Sequence, residues 1–299
     1  MAAEGAEVVD AAGAEEDDMN RLNHPQLGLG IGWRPELALD IERRGDLGFV
    51  EIVAENINPD AIPPPLLKLR EAGVQVIPHG IALSLGGAEP IDPARVRRLS
   101  DLARRLDSPL VSEHIAFVRA GGIEAGHLLP LPRTKAALGV LIDNVNRARE
   151  LLDVPLALEN ISALFEWPGG EMSDAEFVSR AVDETDTGLL LDVANVWANA
   201  RNLGGDPIEF LRQLPLERLA YVHIAGGEER EGTYHDTHAA PVPQEVLDLL
   251  VKLCQMTSIP GVMLERDDHF PDSRQLNSEL DAIAKAFAQP RKHSVTAHA

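Results

Sequence analysis

Short apolar runs alternate with longer amphipathic stretches along most of the chain. The runs, rich in Val, Ile and Leu, are Leu27–Trp33, Phe49–Ala54, Val74–Pro78, Pro109–Val111, Pro155–Leu158, Gly188–Leu191, Leu219–Val222 and Gly261–Leu264. Stretches such as Ala94–Leu106, Thr134–Leu152 and Gln244–Gln255 carry apolar residues at helical spacing between them. This alternation predicts βα units around a parallel sheet. Eight strands in a chain of 299 residues suggest an α/β fold with a single closed (β/α)8 TIM barrel, which typically needs about 250 residues. An open doubly wound sheet is the alternative, but no GxGxxG stands between a strand and a helix. The glycine-rich Gly28-Leu29-Gly30-Ile31-Gly32 lies inside a strand and reads as close packing rather than a phosphate cradle.

The barrel is expected over residues 23–288. Residues 1–20 hold seven acids and no Lys or Arg, so 1–22 reads as a disordered acidic tail. Residues 289–299 read as a flexible C-terminal tail. Neither a secretory signal nor an apolar run of about 18 residues is present, so no membrane partner is expected. The net charge of −21 disfavours nucleic acid as a partner, because an acidic surface repels phosphate backbones. The single cysteine, Cys254, cannot form an intrachain disulfide and fits a cytoplasmic, reducing setting. It reads as a small buried hydrophobe on a helix.

The strand ends carry the chemistry. The eight runs end at Trp33-Arg34, Glu55-Asn56, His79, Glu113-His114, Glu159-Asn160, Asp192, His223 and Glu265. In a closed barrel these ends converge on the face where active sites lie. Carboxylates gathered there repel one another unless cations neutralise them or their pKa values rise. Mixed with imidazoles, they form a ligand set for zinc, iron or manganese, so a multinuclear metal site is expected. The loop His235-Asp236-Thr237-His238 places Asp236 and His238 on one side of an extended segment, as candidate ligands for a third metal. Asn195, three residues after Asp192, is a further oxygen donor. His127 and His269 lie on loops near the mouth, open between substrate contact and plain surface. His24, His293 and His298 lie in or near the tails and are assigned no role.

The order His79, His114, Glu159, Asp192, His223, Asp236-x-His238, Glu265 resembles the xylose-isomerase-like barrels, which include metal-dependent isomerases and an AP endonuclease. That resemblance implies one metal on His79, His114 and Glu159, and a second on Glu159, Asp192, His223 and Glu265. A third would sit on Asp236 and His238. The endonuclease pattern has His where Asn195 stands, which weakens the third position. The words GIGWRP, FVEIVAEN, HGIALSLG, VSEH, HLLPLPRT, LALEN, GLLLDVANV, YVHIAG and DTHAAPVP run collinearly over most of residues 27–270. Together they resemble the multinuclear non-haem iron-dependent oxidative enzymes, the family of the methanobactin-biosynthesis oxidase.

This resemblance implies an oxidase with two to three iron ions, mixed Fe(II)/Fe(III), and O2 as co-substrate. Its substrate would be a ribosomally made precursor peptide, modified most often at Cys, with a separate peptide-recruiting partner protein. The implied catalytic residues are Glu159, Asp192 and Asn195. Arg34, Glu55, Asn56, Glu113 and Asn160 are expected to orient ligands or touch substrate, with Arg34 holding a peptide carboxylate or neutralising Glu55. Three positions depart from the family pattern: Glu113 for Asp, Ala194 for Asn, and Gly227 for His. The alternatives are a metal-dependent sugar isomerase or phosphodiesterase on the same barrel, and a non-catalytic metal-binding scaffold.

Overall fold

A computed structural model describes residues 25–288. The two expected tails, with His24, His293 and His298, lie outside the described residues. Eight parallel strands close into a barrel: β1 (Gly28–Gly32), β2 (Leu47–Val53), β3 (Gln75–His79), β4 (Val111–His114), β5 (Leu156–Glu159), β6 (Gly188–Asp192), β7 (Leu219–Ile224) and β8 (Gly261–Leu264). Each pairs with its neighbours in sequence, and β8 closes onto β1. The helices following the strands are α1 (Ala38–Arg43), α2 (Pro64–Glu71), α3 (Pro93–Leu106), α4 (Lys135–Arg149), α5 (Asp174–Thr185), α6 (Val193–Leu203), α7 (Gln244–Met256) and α8 (Ser273–Phe287). No helix among the described residues is long and apolar enough to cross a membrane.

Local sequence explains the wall. In α3, Val96, Leu99, Leu102, Ala103 and Leu106 are buried at helical spacing. Asp92 caps that helix by accepting from the Ala94 amide, with Pro93 at its first position. The other side of the strands fills the barrel interior, where Leu27, Phe49, Ile77, Leu110, Leu190 and Met263 form a buried cluster. Gly30 belongs to this packing: a Cβ there would lie 2.4 Å from the Phe49 ring. Its glycine therefore serves close approach, as read from the sequence.

Two antiparallel hairpins, Phe117–Ala120 with Ile123–Leu129 and Glu228–Arg230 with Thr233–His235, were not expected from the apolar pattern. They interrupt the loops after β4 and β7, and Ile123–His127 is exposed, so no apolar run marks it. The strands also run further than the apolar runs. His79, His114, Glu159, Asp192 and His223 lie within strands rather than beyond them. Ladder hydrogen bonds depend on backbone alone, so a polar side chain facing the mouth does not end a strand.

Candidate metal centre

The sheet register sets two pairs of polar strand ends directly side by side. His114 is the ladder partner of Glu159, and Asp192 is the partner of His223. β6 runs directly into α6, with Asp192 as the N-cap accepting from the Asn195 amide at 2.9 Å. That bond holds Oδ1 and leaves Oδ2 free. His79, His114, Glu159, Asp192, His223 and Glu265 are all buried, between 0% and 7% exposed.

Three groups of ligand atoms form there, each within 4.8 Å: His79, His114 and Glu159; Glu159, Asp192, His223 and Glu265; and Asp192, Asp236 and His238. Glu159 belongs to the first two and Asp192 to the last two. The buried oxygens Glu159 Oε2, Asp192 Oδ2, Asp236 Oδ1 and Glu265 Oε2 have no hydrogen-bond partner. Orphaned buried carboxylate oxygens are costly unless a cation satisfies them. One orphan oxygen or more in every group, together with imidazole nitrogens, fits bound metal ions.

Protons do part of a cation's work in the bare protein. The Nε2 atoms of His79 and His114 face each other at 3.3 Å, close enough for one hydrogen between them. Burial, then the nearby His114, pushes His79 down to about 3. Burial also opposes charge on His114, but Glu159 and Glu113 outweigh it and lift that pKa to about 9. For His223, burial is outweighed by Glu265, Glu51 and Glu159, and for His238 by Asp236 and Glu265, so both rise well above the ordinary value. Burial and the charges of Asp236, Glu265 and Glu159 hold Asp192 well above the usual carboxylate range.

The supporting residues divide. Asn160 staples β5 to β6, donating to the Asp192 carbonyl at 3.1 Å and accepting from the Asp192 amide at 3.0 Å. Asn195 donates to the Asn160 carbonyl, and its Oδ1 is buried without a partner. Glu113 accepts from the Leu83 amide at 2.9 Å, and its other oxygen lies 3.7 Å behind His114 Nδ1. Glu55 accepts from the Ile81 amide and so holds the loop after β3, while Asn56 is exposed. Arg34 does not neutralise Glu55; it pairs with Asp267. His127 and His269 are exposed and outside all three groups.

Reasoning from the sequence missed Asp267, Glu51, Ser112 and Tyr221. Asp267 Oδ2 lies 2.9 Å from His238 Nδ1, which turns His238 Nε2 toward Asp236 at 3.0 Å. Glu51 Oε2 lies 2.9 Å from His223 Nε2 and accepts from the Tyr221 hydroxyl. Ser112 Oγ lies 2.8 Å from His79 Nδ1. The available signal was a polar residue two positions before a strand-end ligand, as in Ser112/His114 and Tyr221/His223, since such pairs face one side.

A family model described as RiPP precursor modification enzyme MbnB/TglH/ChrH matches residues 28–288. The chain belongs to this family. Its relatives include a UPF0276 protein of Streptomyces avermitilis, 53% identical over 281 residues, covering 91% of this chain and 58% of that protein. The chain thus spans little more than half of that relative. A UPF0276 protein of Caulobacter vibrioides is 33% identical over 276 residues, covering 90% of this chain and 98% of that one. Similar solved structures include a xylose isomerase domain protein from Planctomyces limnophilus, with TM-score 0.56 and 16% identity over 88% of this chain and 96% of the other. The D-psicose 3-epimerase from Clostridium cellulolyticum H10 gives TM-score 0.57 and 13% identity over 87% and 99%. These likenesses show the xylose-isomerase-like TIM-barrel fold.

Of the three departures that the resemblance marks, one, Gly227, has a structural reason. At Gly227 a Cβ would lie 2.1 Å from the His235 carbonyl oxygen, because the hairpin Glu228–His235 folds back onto it. A histidine therefore does not fit at 227 here. Ala194 is 2% exposed in the first turn of α6. Nothing in the structure explains why alanine stands there.

Proposed function

We propose that this protein is a multinuclear non-haem iron-dependent oxidase that uses O2 to modify a ribosomally synthesised precursor peptide, most often at Cys. The observation that carries this reading is the three-fold ligand set joined by Glu159 and Asp192, with an orphan buried carboxylate oxygen in every group. His79, His114 and Glu159 would hold one ion, Glu159, Asp192, His223 and Glu265 a second, and Asp192, Asp236 and His238 a third. Hard carboxylates favour ferric iron and neutral imidazoles tolerate ferrous iron, so the unequal sets suit mixed valence. When bound, iron supplies dioxygen activation and acidification of a substrate thiol.

The chain's own residues do the rest. Burial of the ligand layer excludes water, Asn160 fixes Asp192 against β5, and Asp267 aims His238. Leu164, Phe165 and Trp167, in the loop after β5, are 50%, 43% and 41% exposed and offer an apolar surface beside the mouth for a peptide. The Trp167 indole is anchored on the Pro130 carbonyl at 2.7 Å. Cys254 takes no part: burial pushes its thiol up to about 11. A separate peptide-recruiting partner and a cytoplasmic setting complete the reading.

The test is metal analysis with Mössbauer spectroscopy on protein purified without added metal, then oxygen uptake with the precursor peptide. Two to three irons per chain and peptide-dependent oxygen uptake are expected. Full activity without oxygen in protein holding only zinc or manganese would overturn the reading and favour a metal-dependent isomerase or phosphodiesterase.

A further inference from the structure

Beneath the ligand layer lies a second row of polar groups. Glu51 in β2, Ser112 in β4 and Tyr221 in β7 are 4%, 0% and 0% exposed. Ser112 and Tyr221 stand two residues before His114 and His223, so they face the same interior about 6.6 Å deeper. Desolvating three polar groups costs stability that an apolar layer would not lose, so packing gives no reason for them.

Their hydrogen bonds run in one line. His79 Nδ1 meets Ser112 Oγ at 2.8 Å, and Ser112 Oγ meets the Tyr221 hydroxyl at 2.7 Å. Tyr221 donates to Glu51 Oε2 at 2.5 Å, and the same oxygen lies 2.9 Å from His223 Nε2. A carboxylate only accepts. Tyr221, having given its hydrogen to Glu51, can only accept from Ser112. Ser112, having given its hydrogen to Tyr221, can only accept from His79. Every donor therefore points toward Glu51. His79 then carries its hydrogen on Nδ1 and His223 on Nε2. The nitrogens left over face the metal groups: His79 Nε2 lies 3.4 Å from Glu159 Oε2, and His223 Nδ1 lies 3.1 Å from Glu159 Oε1.

We propose that Glu51, acting through Tyr221 and Ser112, fixes which ring nitrogen both His79 and His223 present, and so ties two separate metal positions to one buried carboxylate. These three are positioning residues, and the inference rests on reading His79 and His223 as metal ligands. Without an acceptor at 51, Tyr221 is free to donate to Ser112 and Ser112 to His79. The line then reverses and moves the His79 hydrogen onto Nε2, the nitrogen the metal needs.

The experiment uses full-length protein with 15N-labelled histidine. Imidazole spectra of the metal-free form read the position of the His79 hydrogen, and anaerobic titration with iron(II) reads the affinity of each position. Glu51→Met is expected to shift the His79 hydrogen to Nε2 or a mixture, and to weaken both positions roughly 10–100-fold, the usual effect of losing such support. Tyr221→Phe and Ser112→Ala should affect His79 and its position alone. Glu51→Gln should behave as wild type, since its amide oxygen still accepts from both sides. Circular dichroism and melting curves establish that each variant folds. An unchanged His79 hydrogen in both Glu51→Met and Tyr221→Phe would overturn the proposal. Iron failing to bind wild type whose His79 hydrogen lies on Nδ1 would sink the metal reading and leave the array standing. Iron bound by wild type with that hydrogen on Nε2 would do the reverse.

Discussion

The two ends of the barrel are built from the same eight strands and obey opposite rules. At the N-terminal end, the interior is closed by Leu27, Phe49, Ile77, Leu110 and Met263, all at 2% exposure or less. Two to four residues further along the chain, the interior is filled by imidazoles and carboxylates that are nearly as buried. The first layer is stable as it stands, because apolar groups in contact need no partner. The second leaves orphan oxygens and raised histidine pKa values, and is satisfied only by cations. Stability and chemistry are thus separated along the barrel axis. Substitutions at one end should leave the other's readout alone.

The sharpest break should come at Glu159, which joins two ligand groups. Glu159→Gln is expected to empty both positions, with affinity falling by more than the roughly 100-fold that marks loss of a mere supporting group. Peptide-dependent oxygen uptake should fall to background. The metal-free variant should melt no lower than metal-free wild type, because one of several crowded carboxylates has gone. Full iron content in this variant would end the assignment. At the other end, Leu110→Ala should cost about 2–5 kcal/mol in urea denaturation. Leu110 is 1% exposed in the barrel floor, and iron per folded chain should not change.

How much of this could be read in advance also differs between the two ends. The floor and wall follow from periodicity, because apolar runs and helical stripes are local. The strand-end ligands were legible because each is a polar residue closing an apolar run, and Asp236 and His238 because they stand two residues apart in one loop. The hairpins were not, since strands such as Ile123–Leu129 are exposed over Ile123–His127 and hold each other through backbone bonds. Glu51, Ser112 and Tyr221 sit inside strands and looked like tolerated polar positions. Their meaning comes from hydrogen bonds between residues up to 172 positions apart in the chain, as for Glu51 and His223. Asp267 was likewise hidden in the loop after β8, where only the folded chain brings it to Arg34 and His238.

Asp267 tests whether the third ligand group is as deliberately built as the other two. It holds His238 twice, through its side chain at 2.9 Å and through its amide on the His238 carbonyl at 3.0 Å. His238 itself sits at φ 50°, a backbone conformation that costs a non-glycine residue and persists when its surroundings impose it. Asp267→Asn keeps the amide and weakens the side-chain acceptor. It should lower affinity at the Asp192, Asp236 and His238 position roughly 10–100-fold and leave the other two as they are. An iron count that drops at all three positions would mean that the groups do not behave as separable sites.

The smallest effect separates stability from chemistry in a single residue type. Asp92 and Asp192 both cap helices, accepting from the Ala94 and Asn195 amides at 2.8 and 2.9 Å. Asp92 faces solvent on the outer wall, whereas Asp192 is 0% exposed, belongs to two ligand groups and has a second oxygen without a partner. Asparagine caps about as well as aspartate, and alanine does not. Asp92→Ala should therefore cost about 1 kcal/mol, Asp92→Asn only a few tenths, and neither should alter iron binding. Asp192→Asn should keep its cap and its melting temperature within that small margin while losing iron, because the cap needs an oxygen and the cation needs a charge. A melting temperature that falls with the iron, measured on the metal-free forms, would show that Asp192 is there chiefly to start α6.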